Sequence, residues 1–142
     1  MEKLIEKIET ADAPKAVGPY SQAVRVNVSR SHLIFVSGQL PIDPLTGKLI
    51  EGSMEEATRR ILENIQAILF AAGSSLHEVI RVEVFLKDLG DFQEMNKEYQ
   101  KHFSGDHFPA RQTIEVARLP MDASIEISCI AAVGESPLLG EM

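Results

Sequence analysis

Apolar and polar residues alternate along several segments of the chain, which is the pattern of β-strands with one buried face. The predicted strands are residues 3–9, 23–28, 33–37, 81–86, 111–116 and 124–133. Residues 33–36 are apolar at every position, which predicts that both sides of that strand are covered. Pro109 predicts the start of the fifth strand, because proline is tolerated at the entry to a strand but not inside a central one. This places Arg111 at the N-terminal end of the fifth strand.

A helix is predicted after the third strand. Ser53, with Glu56 three residues later, has the spacing of a capping box, in which each residue's side chain bonds the other's backbone N–H. Apolar residues then recur at helical spacing: Met54, Ala57, Ile61, Ile65, Ile68 and Ala72. Gly73 predicts the end of this helix. Ser75 and Glu78 repeat the capping pattern, which predicts a short turn before the fourth strand.

A second helix is predicted between the fourth and fifth strands. Asp91 and Glu94 have the spacing of an N-terminal cap, and Gly105 predicts the helix end. The buried stripe of this helix is predicted to contain Phe92, Met95, Tyr99 and Phe103.

The order of elements predicts an α+β fold, in which a mostly antiparallel sheet carries two helices on one face. Two helices cover only that face, yet residues 33–36 and Phe85 are apolar on the side the helices cannot reach. We therefore expect the other face to pack against further copies of the chain, in a homo-oligomer. Residues 1–133 are predicted to form a single domain, and residues 134–142, which contain Pro137 and Gly140, a loose C-terminal tail.

Composition narrows the classes of function. The chain has 142 residues, a net charge of −7 and single, scattered basic residues, which argues against a surface for nucleic acid or anionic membrane. Cys129 is the only cysteine, so an intrachain disulfide is excluded and a reducing compartment is compatible. Four of the first seven residues are charged, where a signal peptide needs an apolar run, and no segment approaches membrane-spanning length. These features predict a cytoplasmic protein.

The sequence lacks the patterns of several common sites. The four histidines, His32, His77, His102 and His107, have no partners at ligand spacing, so no metal site is expected. No phosphate-binding glycine loop and no nucleophile elbow are present. Cys129 falls in the middle of a strand, where a buried and inert thiol is favoured over a nucleophile.

A small set of residues remains as candidates for chemistry: Tyr20, Ser37, Gly38, Asn96, Arg111 and Glu126. Each also has a structural interpretation. Tyr20 could pack under a turn, Gly38 could end a strand, and Asn96 could be an exposed helix residue. Glu126 has partly apolar neighbours, which requires either a neutralising ion pair or a proton-transfer role. The charge pattern alone favours a structural ion pair between Arg111 and Glu126 on adjacent strands.

These residues lie in segments that resemble one family. The segments are residues 16–23 (AVGPYSQA), 35–41 (FVSGQLP), 91–96 (DFQEMN), 109–111 (PAR) and 125–127 (IEI). Together they resemble the reactive intermediate deaminase family, the Rid or YjgF-like proteins, from about residue 10 to residue 133. The similarity is greatest to the RidA-type branch, which carries the arginine and the strand-borne glutamate together.

The resemblance implies a small chorismate-mutase-like α+β domain, assembled as a homotrimer with a site in each cleft between subunits. The implied activity is hydrolysis of enamine/imine intermediates, such as 2-iminopropanoate formed from 2-aminoacrylate, to a 2-keto acid and ammonia. The implied ligand is a small 2-imino or 2-keto acid, and no cofactor is implied.

The resemblance also implies roles for the candidate residues. Arg111 would hold the substrate carboxylate in a bidentate contact, and Glu126 would position water and transfer its proton. Tyr20, the backbone of Ser37 and Gly38, and Asn96 would line the pocket.

One position departs from the family pattern, because Thr113 stands where the family often has cysteine. A hydroxyl still forms hydrogen bonds with substrate or water, but thiol chemistry is excluded there. The neighbouring Gln112 is bulkier than expected, so substrate preference could differ.

Two alternative functions remain open. One is a regulatory protein that binds 2-keto acids in the same cleft without turnover. The other is an endoribonuclease or translation inhibitor, which the acidic composition and the absence of a histidine pair or lysine cluster disfavour.

Overall fold

The structure is a computed structural model that describes residues 3–103 and 107–133. Its strands are β1 (Ile5–Ile8), β2 (Ala23–Val28), β3 (Ser31–Gln39), β4 (Val79–Leu86), β5 (Ala110–Glu115) and β6 (Ile125–Val133). Its α-helices are α1 (Met54–Ala71) and α2 (Phe92–His102). The predicted helix end at Gly105 and the predicted tail at 134–142 lie outside the described residues.

The six strands form one sheet in the order β1-β2-β3-β6-β4-β5. All neighbouring strands are antiparallel except β4 and β5, which are parallel. The predicted α+β fold with a mostly antiparallel sheet is therefore confirmed.

The predicted adjacency of the strands that carry Arg111 and Glu126 is wrong, because β4 lies between β5 and β6. The parallel β4–β5 pair has α2 as its crossover, so the chain leaves β4 and returns beside it.

Both helices pack on one face of the sheet and enclose the core. Side chains from α1, α2 and alternate positions of the strands form one buried cluster, whose fully buried members include Ile34, Ile61, Ile65, Leu86, Met95 and Ile127. The apolar stripes predicted for the two helices are confirmed by this cluster.

The opposite face of the sheet, here called the open face, has no layer over it within the described residues. It carries Phe35, Phe85, Ile114, Glu126 and Ile130, which the strand register places opposite one another. Phe35 and Ile114 are 39% and 38% exposed, although both are large and apolar. Residues 33–36 were predicted to be covered on both sides. Within the chain, this prediction holds only for the side that faces the helices.

The two predicted helix starts had different outcomes. Ser53 and Glu56 form the capping box, with both side chain-to-backbone hydrogen bonds at 3.1 Å. The predicted cap at Asp91 is wrong, because its side chain makes no capping hydrogen bond. A 3-10 turn, Leu89–Asp91, runs directly into α2, so the Asp91 backbone (φ −86°, ψ 4°) lacks the extended conformation that an N-cap side chain needs. Asp88 instead caps that turn by accepting a hydrogen bond from the Gly90 backbone at 2.8 Å.

The turn predicted before β4 is present as the 3-10 segment Leu76–Glu78, but Ser75 makes no side-chain cap bond. Gly73 lies just after the end of α1 with a φ of +85°, a conformation that glycine adopts without strain. The predicted stop of the first helix is thus confirmed.

A buried carboxylate joins α2 to α1. Glu98 is 2% exposed and accepts hydrogen bonds from Arg59 Nε at 3.0 Å and Arg59 Nη2 at 3.1 Å. It also lies 2.7 Å from His102 Nε2. Burial by itself raises the pKa of Glu98, but the hydrogen bonds from Arg59 and His102 outweigh burial and lower that pKa to about 2. The carboxylate is therefore a charged clamp between the two helices.

Replacing Glu98 should destabilise the fold in a pH-dependent way. We expect Glu98→Gln to lower the free energy of unfolding near neutral pH by about 2 kcal/mol, because it removes charge-assisted hydrogen bonds from a buried site. The folded pKa is below the ordinary value of 4.5, so this stabilisation is present above pH 4.5 and is lost as the pH falls towards 2. Urea unfolding of both proteins across this pH range measures the difference.

Lys97→Ala is the matched control, since Lys97 also bridges the helices, 3.7 Å from Glu55, but with its side chain 65% exposed. It should change the free energy of unfolding by less than about 1 kcal/mol. Equal effects of the two substitutions would contradict the assignment of Glu98 as the clamp.

Candidate active site

Glu126 projects from β6 onto the open face at a point where β3 approaches it closely. A Cβ atom added to Gly38 would clash with Glu126 Oε2 and lie 2.7 Å from Glu126 Cδ. One interpretation of the sequence held that Gly38 ends the third strand. That interpretation is wrong, because β3 continues to Gln39. The register of β3 against β6 shifts between Val36 and Gln39, an irregularity of the kind that redirects side chains beside functional sites.

Tyr20, Ser37, Gly38 and Glu126 line one cavity of about 530 Å³, here called the Glu126 cavity. These are four of the predicted site residues, and the structure brings them together. The other lining residues are mostly apolar and include Val17, Leu40, Ile42, Pro44, Pro120 and Met121, which sequence reasoning did not single out. The cavity therefore combines a few polar groups with a largely apolar wall, as small-molecule sites do.

The loop that carries Tyr20 is held by two side chains. Ser37 Oγ donates a hydrogen bond to the Ser21 carbonyl at 2.6 Å, so this hydroxyl fixes the loop. Gln22 is 3% exposed, and its amide bonds the backbone of Thr10 and Pro14. Sequence reasoning missed this anchoring role of Gln22, although the residue belongs to the motif at 16–23.

The Glu126 carboxyl is half-buried and has no cationic partner among the described residues. Burial raises its pKa above the ordinary value, and no opposing interaction lowers it. A structural ion pair would have had the reverse effect. A carboxyl group with a raised pKa beside a cavity is suited to exchanging protons with a bound molecule.

Arg111 lies on the other face of the sheet, against α2. Its Nη1 donates a hydrogen bond to Asn96 Oδ1 at 2.6 Å. Its Cζ lies 4.6 Å from the ring centroid of Tyr99 and 5.6 Å from that of Phe92. Arg111 and Asn96 line a cavity of about 420 Å³ together with Tyr99, Gln100, Phe108 and Pro109, here called the Arg111 cavity.

The register explains why Arg111 and Glu126 are on opposite faces. Arg111 is paired with Val82 of β4, and Glu126 is paired with Phe85. Positions three apart on a strand point to opposite sides, and residues paired across strands point to the same side. The structural ion pair that the charge pattern favoured is therefore wrong, since it cannot form across the sheet.

The structure assigns different surroundings to Gln112 and Thr113. Gln112 is on the open face, where its Oε1 lies 3.4 Å from Arg81 Nη2, so it does not line the Arg111 cavity. Thr113 follows Arg111 on the helix side, and its Oγ1 is buried with no hydrogen-bond partner among the described residues.

Other predicted features can be compared directly with the fold. Cys129 is buried, and burial raises the pKa of its thiol to about 12, in agreement with the predicted inert thiol. Within residues 3–103 and 107–133, no group of three or more His, Cys, Asp or Glu side chains is placed to hold a metal ion. None of the helices in those ranges combines the length and the apolar character that crossing a membrane requires.

The family model described as Endoribonuclease L-PSP matches residues 10–133 of the chain. The chain belongs to the Rid family. The resemblance found at the five sequence segments is thus confirmed. A RutC family protein of Pyrococcus abyssi is 52% identical over 126 residues, which cover 89% of this chain and 95% of that protein.

Two further Rid relatives carry names or ligands that bear on function. The chloroplastic Reactive Intermediate Deaminase A of Arabidopsis thaliana is 43% identical over 128 residues, covering 90% of this chain and 66% of that protein. The crystal structure of E. coli TdcF with bound serine superimposes with a TM-score of 0.80 at 38% identity, covering 91% of this chain and 99% of that one. These similarities confirm the fold class and support a Rid-type function in general terms.

The close approach of Gly38 to Glu126 gives a test of the site geometry. We expect Gly38→Ala to lower the free energy of unfolding by about 1 kcal/mol, because the added methyl group overlaps the Glu126 carboxylate, which can move aside into the cavity only by leaving its present rotamer. Thermal or urea unfolding measures the change.

The same substitution in a Glu126→Ala background provides the control. All three nearest atoms to the added Cβ belong to the Glu126 side chain, so the double variant should show most of the loss relieved. An unchanged loss in that background would mean that Gly38 is required for another reason.

Proposed function

We propose that this protein is an enamine/imine deaminase of the RidA type, which hydrolyses 2-imino acids such as 2-iminopropanoate to 2-keto acids and ammonia. The observation that carries the proposal is the pair of complementary half-sites. One contains a carboxyl group with a raised pKa beside a cavity, and the other a guanidinium group that faces a second cavity without a carboxylate partner among the described residues. In the proposed hydrolysis, the carboxyl group transfers the proton of the attacking water and the guanidinium group binds the substrate carboxylate.

The complete site is proposed to form between subunits of a homotrimer. One subunit supplies Glu126, Tyr20, Ser37 and Gly38, and its neighbour supplies Arg111, Asn96 and Thr113. The opposite orientation of Arg111 and Glu126 within a single chain supports this arrangement, since one chain alone cannot bring them to one ligand. The exposed apolar side chains of the open face support it as well, because they require a covering layer.

The proposed chemistry follows from the two half-sites. Arg111 binds the substrate carboxylate through its planar fork and thereby orients the imine carbon. Glu126, in its ionised form, takes a proton from a water molecule as the water oxygen bonds to that carbon. Glu126 passes this proton to nitrogen, which gives a carbinolamine with a hydroxyl and an amino group on the same carbon. Glu126 then takes the hydroxyl proton and delivers it to the amino nitrogen, the carbon–nitrogen bond breaks as the carbon–oxygen double bond forms, and 2-keto acid and ammonia leave.

The remaining predicted residues have supporting roles in this scheme. Asn96 holds Arg111 by accepting its Nη1–H. Tyr20, with Ser37 and Gly38, forms the wall beside Glu126. Thr113 does not line the Arg111 cavity, but its buried Oγ1 has no hydrogen-bond partner among the described residues, and its proposed role is to bind a ligand or water beside Arg111. No cofactor takes part, because an imine is already electrophilic and needs alignment with water rather than an external activator.

Two relatives support the proposal from outside the chain. The name of the Arabidopsis protein, Reactive Intermediate Deaminase A, denotes this type of reaction. The serine bound to TdcF is a small molecule with a carboxylate and an amino group on neighbouring carbons, as a 2-imino acid has a carboxylate next to its imine.

The activity is tested by generating the imine with a serine or threonine dehydratase and following keto-acid release. We expect the wild-type protein to accelerate release over buffer and Arg111→Ala to lower kcat/KM by at least about 100-fold, because the charge-assisted bidentate contact is lost. Lys97→Ala is the control and should leave kcat/KM unchanged, since the Lys97 side chain is 65% exposed on α2 and lines neither cavity.

Three results would contradict the enzymatic assignment or redirect it. Absence of acceleration by the wild type contradicts it. Saturable binding of 2-oxobutanoate without turnover would instead select a keto-acid-binding regulatory protein. RNA cleavage lost in the Arg111→Ala and Glu126→Ala double variant would favour the endoribonuclease activity that the family description names.

Assembly is tested on the open face. We expect Phe35→Asp to convert the trimer to monomer and to abolish turnover with it, because a buried unpaired charge costs several kcal/mol. Phe70→Asp is the control, since Phe70 is 80% exposed on α1 and should leave the trimer intact. Multi-angle light scattering measures the mass, and a monomeric wild type with full activity would exclude the intersubunit site.

A further inference from the structure

Three side chains on one face of α2 contact the guanidinium group of Arg111. Phe92, Asn96 and Tyr99 are spaced four and then three residues apart, so they share one face of the helix. Asn96 holds the edge of the guanidinium through a 2.6 Å hydrogen bond, and the rings of Tyr99 and Phe92 lie within cation–π distance, at 4.6 and 5.6 Å.

Tyr99 is the more constrained of the two rings. It is 4% exposed and packs against Phe103 with the ring centroids 4.5 Å apart. Burial raises the pKa of Tyr99 to about 12 despite the nearby positive charge of Arg111, so the phenol stays neutral. Its Oη has no hydrogen-bond partner among the described residues. The Arg111 guanidinium lies over the ring, and it is also near enough to the phenol oxygen to oppose the rise in the pKa of Tyr99.

The partners of Arg111 are unusual in being uncharged. In the same protein, Arg59 is held by the Glu98 carboxylate, which neutralises it. Arg111 is held by an amide oxygen and two aromatic rings, which orient the guanidinium but leave its charge uncompensated among the described residues. Arg111 lines the Arg111 cavity, and only one of its N–H groups donates a hydrogen bond to Asn96.

We propose that Tyr99, assisted by Phe92, is a positioning residue that holds the Arg111 guanidinium in the plane needed to bind a carboxylate. Asn96 fixes the rotation of the guanidinium within that plane, and the rings fix the plane itself. The anion that it receives is the substrate carboxylate, so the functional consequence rests on the proposed deaminase activity. The orientation of Arg111 itself does not depend on that activity.

The proposal is tested on the intact protein with Tyr99→Leu and Tyr99→Phe. Tyr99→Leu removes the ring, and we expect it to raise the Kd of 2-oxobutanoate and the KM of imine hydrolysis by about tenfold, with a smaller change in kcat. Tyr99→Phe keeps the ring and loses only the hydroxyl, so both constants should stay within about twofold of wild type. Phe92→Leu should give an intermediate increase, in keeping with its longer distance.

Leu62→Ala separates a positioning role from loss of packing. Leu62 is 1% exposed on α1 and belongs to the core rather than to either cavity. This variant should lower Tm at least as far as Tyr99→Leu while leaving the Kd and KM unchanged. An increase in KM in Leu62→Ala equal to that in Tyr99→Leu would overturn the proposal, as would an unchanged Kd in Tyr99→Leu.

A third measurement distinguishes failure of this proposal from failure of the proposed function. The ¹⁵Nε–H signal of Arg111, assigned by its loss in Arg111→Lys, reports guanidinium order in the absence of any ligand. It should be sharp in wild type and Tyr99→Phe and broadened or averaged in Tyr99→Leu. If the wild type neither binds keto acid nor accelerates hydrolysis, the deaminase assignment fails, and this signal still decides whether Tyr99 orders Arg111: an equally sharp signal in Tyr99→Leu overturns the proposal.

Discussion

The structure depends on a single apolar layer shared by one face of the sheet and two helices. Ile34, Val84, Ile127 and their neighbours on that face are fully buried under α1 and α2, and this layer holds most of the apolar area removed from water. Two helices are enough to cover one face of the sheet but not the other. The alternation of strand side chains then leaves a second apolar set, including Phe35 and Ile114, on the open face. The uncovered face is thus a direct consequence of how the core is built.

The same alternation separates the two charged groups of the candidate site. In one chain, Arg111 and Glu126 lie on opposite sides of the sheet, with β4 between their strands. Neither is neutralised by a partner among the described residues, in contrast to Glu98, whose carboxylate is held by Arg59. Burial raises the pKa of Glu126, and no partner charge among the described residues offsets that effect. A fold that keeps these two charges apart leaves each of them able to interact with a ligand.

Local features of the chain were predictable from sequence, and features set by tertiary pairing were not. The capping box of Ser53 and Glu56 involves residues three apart, so the sequence contains all the information it needs. Asp91 had the same type of signal, but the preceding 3-10 turn changed its backbone conformation. The adjacency of β5 and β6 was inferred from their order in the chain, whereas the crossover through α2 returns β5 to the far side of β4. Strand order is decided by packing between distant segments, which periodicity does not report.

In the candidate site, too, some features were predictable from sequence and others depend on tertiary packing. Periodicity placed Phe92 and Tyr99 on the buried stripe of α2, which is correct, but it gave no indication that their rings face Arg111. The motifs around Tyr20, Ser37, Gly38 and Glu126 did identify residues that share a cavity, because the family resemblance carries information about tertiary proximity that composition lacks. It did not reveal which side of the sheet each group occupies within one chain.

The separation of the two charges has a consequence for the proposed reaction. Were Arg111 and Glu126 in direct contact within one subunit, their attraction would lower the pKa of Glu126 and make it a weaker base. The proposed intersubunit site would place them at opposite ends of a bound 2-imino acid, where the substrate carboxylate, rather than Glu126, would pair with the guanidinium. The glutamate would then keep the raised pKa that burial produces, which makes its carboxylate a stronger base towards water. On this reasoning, activity requires assembly, since the isolated chain holds the components of the site but cannot bring them to one ligand.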